Sequence, residues 1–501
     1  MSSNSEPIIH QIRQDFERLL EYVTEETDRP RTAYEVELTL FKKLLALGYQ
    51  LLLLFFVHHA AKRPQGVVQG ADEIPLKYHG MRSTTYYSVF GKMAFHRPYY
   101  YAPGHGGACP LDAELSLPPR CYSDLLREWA EFCTTDESYG ESIRVLERIL
   151  DLSLSMQALE TGVREDAVDV DAFYEQKAGP APEQEGTLLV IQADGKGVPM
   201  VRDEPARPSA RRGKGEKRTK KKEAVVTTLY TIEPYPRTPE QVVQALMREW
   251  RVEEKAQQGA SPVPPSRSRR PAPRGKEVRA TLEGKEAALE RLAQRVAQRE
   301  GDHLRHRVAL TDGAEALQKR VQERFPDFEL VLDIIHASEY LWDAANALLG
   351  ETHPEREGWV GEHLLQILSG KTATVIETLQ ERAQDPTLSP AQRQRLQTTI
   401  GYYQRNLPYM RYDRYLARGW PIGTGVVEGA CGHLVKDRFE RAGMRWTQAG
   451  AQPLLDLRAV RINGDWDAYH DFRRRRQHRR LYGSRGRASP DAEAAVFTMV
   501  A

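Results

Sequence analysis

Apolar and polar positions alternate with different periods along the chain. Over residues 1–61 the apolar side chains recur at helical spacing, as in "TAYEVELTLFKKLLALGYQLLLLFFVHHAAKR", which predicts a mainly helical N-terminal region. Its most apolar part, 44–57, falls short of the roughly 20 residues that span a bilayer and reads as a buried core helix. From residue 78 the run "YHGMRSTTYYSVFGKMAFHRPYYYAP" predicts two or three small strands with turns at Gly80 and Gly91. Two helical segments follow, 122–150 and 156–167, the second preceded by Ser155 as an N-cap. They suit a DNA-binding helix-turn-helix and equally two ordinary packed helices.

Beyond residue 187 the period shortens. "TLLVIQAD" and "EAVVTTLYTIEPYP" read as strands, and "ATLEGKEAALERLAQRVAQRE" as a helix. "HRVALTDGAE" is a strand, "GAEALQKRVQERF" a helix, and "FELVLDIIHASEYLW" a strand running into a helix. Such alternation predicts a mixed sheet with flanking helices. Residues 337–420 read as helical, broken near Pro354, Pro386, Pro390 and Pro408, and "PIGTGVVEGACGHLVKDRF" passes from a turn into a helix.

Composition alters this picture only locally. The 501 residues carry 71 basic and 70 acidic side chains, so net charge selects no partner, and 40% hydrophobic content supports real cores. The charge is clustered. Residues 207–222, "RPSARRGKGEKRTKKK", hold nine Lys or Arg against one Glu, and "FRRRRQHRR" at 472–480 reads as part of a basic tail. Both suit solvated segments and phosphate contacts. A second insertion, 259–276, is rich in Pro, Ser and Arg and reads as extended and flexible. Four cysteines make no disulfide framework, the N-terminus lacks a signal-peptide core, and a reducing cytoplasm without membrane attachment is expected. Cys109, Cys121 and Cys133 with His105 form no Cys-x-x-Cys pair, which argues against zinc.

Three apolar runs end in an aspartate: Asp194, Asp312 and Asp333. Asp favours loop starts, and Asp194-Gly195 alone is a turn pair. A fourth acid, Glu428, opens a glycine-flanked helix. In α/β sheets ligands gather at the carboxyl ends of strands. Carboxylates brought there are hard oxygen ligands suited to two Mg²⁺ ions and phosphoryl transfer.

In their order, "IQADGKGVPM", "RRPAPRGKEVRATL", "VALTDGAEAL", "FPDFELVLDIIHASEYLW" and "PIGTGVVEGACGHLVKDRFERAGMRW" resemble the DDE transposases with a ribonuclease H-like core, most closely the ISKra-type insertion-sequence enzymes with their Mutator-like pattern. The likeness spans roughly residues 80 to 470. It implies a metal-binding triad of Asp194, Asp312 and Glu428, with Asp333 and His336 as an Asp-x-x-His signature. Asp312 is favoured over Asp333 as second acid, because in that fold the fourth strand neighbours the first and the fifth lies one further out. It also implies two Mg²⁺ ions, with Mn²⁺ as substitute.

The partners expected are double-stranded DNA, as terminal inverted repeats and target, and a second copy of the chain in a homodimer or higher oligomer. The DNA contacts expected are Arg211, Arg212, Lys214, Lys217, Arg218, Lys220, Lys221, Lys222, Arg438, Arg441, Arg445 and Trp446. The fold expected is α+β and multidomain: a helical region at 1–77, a small β-element and helix-turn-helix-like region at 78–180, core parts at 181–336 and 421–470, an all-α insertion at 337–420, and a basic tail at 471–501. A ribonuclease H-like nuclease or resolvase acting on branched nucleic acid, and a domesticated DNA-binding protein without catalysis, are the alternatives.

Overall fold

A computed structural model describes residues 5–25, 31–62, 66–69, 74–201, 221–247 and 270–483. The chain is α+β and folds as two compact units, Met1–Asp169 with Trp466–Ala501, and Val170–Asp465.

In the first unit two helices, Glu6–Thr24 and Ala33–Ala61, replace the single helical stretch. Thr32 and Glu35 form a capping box that starts the second helix. This second helix is not the buried core element expected: only Phe56 and Ala60 are buried, while Leu44, Leu51 and Phe55 are exposed. It is also long and apolar enough to cross a membrane, because the helix runs over 29 residues and contains an 18-residue window of mean hydropathy 1.8.

Phe56 stacks on Phe95 at 4.2 Å, which packs this helix on a four-stranded antiparallel sheet. The strands are β1 (Val67–Gln69), β2 (Pro75–Ser88), β3 (Gly91–Ala102) and β4 (Gly106–Ala108). Gly91, at φ +126°, closes the turn between β2 and β3 as predicted. Gly80 follows a bulge at His79 inside β2 instead of making a turn.

Three helices follow where two segments were expected: Asp124–Asp136, Tyr139–Leu150 and Met156–Asp166. Ser123, Ser138 and Ser155 each cap one of them through the side-chain oxygen. Residues 472–480 are not a tail but part of the helix Trp466–Tyr482. Arg473 is fully buried between Asp166 (2.8 Å) and Asp124 (2.9 Å), and Arg476 and Arg480 hold Asp169.

The second unit is built on β5 (Leu188–Pro199), β6 (Lys221–Ile232), β7 (Arg274–Thr281), β8 (His306–Thr311) and β9 (Glu329–Leu332). Their order is β7-β6-β5-β8-β9. The pairs β7-β6 and β6-β5 are antiparallel, and β5-β8 and β8-β9 are parallel. Alternation of side chains gives each strand two buried faces. Leu189, Ile191 and Ala193 meet the helices Lys285–Ala297 and Glu315–Arg324 on one face. On the other, Leu188, Val190, Val308 and Leu310 meet Ile334–Leu349 and the helical segment through Tyr412–Ala417. The sheet is therefore the middle of three layers.

β7 was not foreseen. Its residues 274–276 read in the sequence as part of a flexible insertion and residues 280–281 as part of the following helix, which begins only at Lys285. The rest of that insertion, 259–269, and the basic segment 207–220 lie outside the described residues.

Candidate metal centre

Strand register alone aligns three acids. β5 and β8 pair in parallel up to Gln192 and Leu310, so Asp194 and Asp312 each stand two residues past the same rung. Leu310 pairs with Val331, so Asp333 stands two residues past that rung on β9. The three aspartates thus lie in a row along the carboxyl edge of adjacent parallel strands, about 4.8 Å apart from strand to strand. Asp312 follows the strand next to β5, and Asp333 the strand one further out. β5 itself does not stop at Asp194 as expected. It continues to Pro199, because its antiparallel pairing with β6 persists after that with β8 has ended, and Gly195 lies within the strand rather than in a turn.

Each acid has a distinct setting. Asp194 is half-buried; its Oδ1 accepts the Gly195 N–H at 2.6 Å and its Oδ2 the Cys431 thiol at 3.4 Å. Burial and the neighbouring Asp194 push the Cys431 thiol well up, so it stays protonated and donates. Asp312, also half-buried, accepts the Ala314 N–H at 3.0 Å through Oδ1. Tyr402 donates its hydroxyl to the Asp312 carbonyl at 2.9 Å. A side chain at Gly313, at φ +89°, would put a carbon 2.6 Å from that hydroxyl, so glycine is required there.

Asp333 is fully buried and caps the helix Ile334–Leu349. Its Oδ2 accepts the His336 N–H at 3.0 Å and His336 Nδ1 at 2.6 Å, and its Oδ1 accepts the Thr424 N–H at 3.0 Å. The Asp333 hydrogen bond outweighs burial and, helped by Asp333, Glu339 and Asp312 charges, raises the His336 pKa to about 9. Glu428 is exposed on the short helix Gly425–Ala430, where the Thr424 hydroxyl donates to its Oε1 at 2.6 Å. Ligand atoms of Asp333, His336 and Glu428 all lie within 4.8 Å of one another. Glu428 therefore joins the Asp333–His336 pair directly, while Asp194 reaches the same helical segment through Cys431.

Three residues that organise this edge are not evident as site residues from the sequence. Buried Gln192, two positions before Asp194, accepts the Val427 N–H at 2.9 Å and donates to Tyr230 Oη at 3.1 Å and the Gly423 carbonyl at 3.3 Å. Thr424 ties Asp333 to Glu428. Cys431 is the third. The one visible signal is a polar Gln inside an apolar run.

Among the described residues, no Lys or Arg forms a salt bridge with Asp194, Asp312, Asp333 or Glu428; His336 is the sole basic partner. Asp333 and Glu428, with Asp194 and Asp312 on the same strand edge, offer oxygen donors that fit divalent Mg²⁺ or Mn²⁺. With Nδ1 held by Asp333, the other ring nitrogen of His336 is left to ligate a cation or, when the ring is protonated, to donate to an anion.

The expected DNA contacts divide. Arg211, Arg212, Lys214, Lys217, Arg218 and Lys220 lie outside the described residues. Lys221 pairs with Glu440 at 2.5 Å and Lys222 with Gln448 at 2.5 Å. Arg438 and Trp446 do not face solvent: Arg438 is fully buried with its guanidinium 5.0 Å from the Trp446 ring, and the indole N–H donates to the Phe439 carbonyl. The backbone of Trp446 bonds to Pro199 and Val201, which draws its side chain into the core beside β5. Arg441 and Arg445 are exposed.

No protein-family model and no curated protein matches this chain.

Proposed function

We propose that the protein is a DDE transposase of the ISKra-type insertion-sequence group, with a ribonuclease H-like core that cuts DNA at terminal inverted repeats and joins the freed end to a target. The observation that carries the reading is the row of Asp194, Asp312 and Asp333 on three adjacent parallel strands, with Glu428 beside it and no Lys or Arg among the described residues to neutralise them. The five-strand order, with two antiparallel and two parallel pairs, agrees with that core.

Asp194, Asp312 and Glu428 are the metal ligands in this reading, with buried Asp333 positioning His336 and, through Thr424, the Glu428 helix. Two divalent cations, when bound, supply Lewis-acid stabilisation to the attacking and leaving oxygens. The protonated His336 offers an N–H to a phosphate oxygen. Protonated Cys431 holds one oxygen of Asp194 and leaves the rotation of that carboxylate restricted.

The test is cleavage and joining by the purified full-length protein on DNA that includes the flanks of its own gene, with Mg²⁺ or Mn²⁺. Asp194→Asn and Glu428→Gln are expected to abolish both activities while leaving DNA binding intact. Intact cleavage in Asp194→Asn overturns the mechanism. Cutting of branched substrates without joining favours the nuclease alternative, and binding without cutting in either metal favours a non-catalytic DNA-binding protein.

A further inference from the structure

A cavity of about 350 Å³ lies behind the carboxylates, within the size range of small-molecule sites. Ile335, two residues after Asp333, and Val426, two before Glu428, form the wall it shares with the metal centre. Val242 and Leu246, on the helix 239–247, extend that apolar wall.

Two guanidiniums, Arg237 and Arg270, line the same cavity. Arg237 donates Nη2 to the Trp420 carbonyl, but its buried Nε has no partner. Among the described residues no carboxylate pairs with either arginine. Glu233, the acid on the rim, is already held by Arg274 and by the Thr187 hydroxyl, each at 3.2 Å. Burial and the nearby Arg270 depress the Arg237 pKa to about 10, a sign of uncompensated positive charge. A buried cationic donor without a counter-charge is costly, and a guanidinium fork matches phosphate oxygens.

We propose that this cavity binds one nucleotide of the strand that reaches the carboxylates, its base against the apolar wall and its phosphate on Arg237 and Arg270. The inference rests on the DNA-processing reading above and names a subsite for it. An apolar wall accepts any base face, so the site is expected to discriminate weakly among bases.

Calorimetric titration of the full-length protein in EDTA tests the site apart from metal chemistry, with thymidine monophosphate, thymidine and inorganic phosphate as probes. The monophosphate is expected to bind about tenfold tighter than either fragment. Arg270→Gln, at an exposed position, should weaken the monophosphate about fivefold without changing thymidine. Ala245→Trp, which fills the cavity, should block the monophosphate and thymidine alike. Oligothymidylate should displace the monophosphate; failure to displace it assigns the cavity to free nucleotides and overturns the strand subsite. Binding no tighter than phosphate, or unchanged in both Arg237→Gln and Arg270→Gln, overturns the site itself. Asp194→Asn should bind the monophosphate normally. Normal binding in a protein that never cleaves DNA would therefore sink the transposase reading and leave the cavity assignment standing.

Discussion

Replacing Gln192 with Leu keeps the side-chain volume and removes the hydrogen bonds that tie β5 to Val427 and Gly423, leaving the Cys431–Asp194 contact in place. Gln192 is 1% exposed, so the Val427 N–H and the Gly423 carbonyl lose their partner where water does not easily replace it. A buried polar group left unpaired costs about 1–3 kcal/mol, so the two together weaken local closure of the turn by about 2–6 kcal/mol. Hydrogen exchange at Val427 should then accelerate at least about 30-fold, since each 1.4 kcal/mol of opening free energy is tenfold. Exchange mass spectrometry on peptides covering 420–430, with β8 peptides as an internal reference, reads this directly. Gln192→Glu keeps an acceptor for the Val427 N–H and should restore part of the protection. On the proposed function, the same loss should raise the Mg²⁺ concentration needed for half-maximal cleavage, because Glu428 is no longer held in place. Exchange within about twofold of the parent, in a protein whose β8 peptides are unchanged, would refute the assignment of Gln192 as the anchor of this turn.

Three further outcomes follow from groups already described. His336 has a pKa raised from 6.5 to about 9, so its stabilisation is complete below 6.5 and fades as pH rises through about 9. With its side chain 33% exposed, screening reduces that contribution to about 2 kcal/mol; metal-free protein should lose this stability between neutral and alkaline pH in thermal melts, and His336→Gln should not. Glu131 is fully buried, and burial and Asp166 hold its pKa well above 4.5, so the folded state keeps a proton that the unfolded chain releases as pH rises. Glu131→Gln should therefore gain stability over the parent increasingly above pH 4.5, and a variant less stable than the parent at neutral pH contradicts this. Gly419 has φ +73°, and a Cβ there would lie 2.4 Å from the Tyr235 backbone nitrogen, so Gly419→Ala should cost more than about 2 kcal/mol in denaturant titrations, a value near zero ruling out the close approach.

Hydropathy exposed the strands whose side chains are apolar on both faces and hid those that neutralise charge internally. β5, β8 and β9 were legible as apolar runs, and the three aspartates at their ends with them. β7 reads "RGKEVRAT" and looks like a solvated loop, yet Glu277 is buried against Arg295 at 2.8 Å and Arg279 meets Asp171 at 2.6 Å. The same physics concealed the last helix, whose arginines find Asp124, Asp166 and Asp169 far away in sequence. Pairing partners at such separations leave no local pattern. Within the candidate site, the acids were visible as residue types. Their supports, Gln192, Thr424 and Cys431, act through hydrogen bonds that only the folded chain creates. The helix Ala33–Ala61 errs in the opposite direction: its apolar content suggested burial, yet Tyr49, Leu52 and Leu53 are only half-buried against the sheet cluster and Leu44, Leu51 and Phe55 are exposed.

The first unit is discontinuous in sequence, and this sets an order of events during synthesis. Asp124, Asp166 and Asp169 emerge from the ribosome about 300 residues before Arg473, Arg476 and Arg480; at about 5–20 residues per second that interval lasts tens of seconds. Until then Asp166 has only Arg127, and Asp124 and Asp169 lack the arginines that pair with them. A chain that ends early, by a frameshift or a premature stop, therefore lacks more than its last helix. It leaves the opposite end of the protein unfinished and more open to proteolysis.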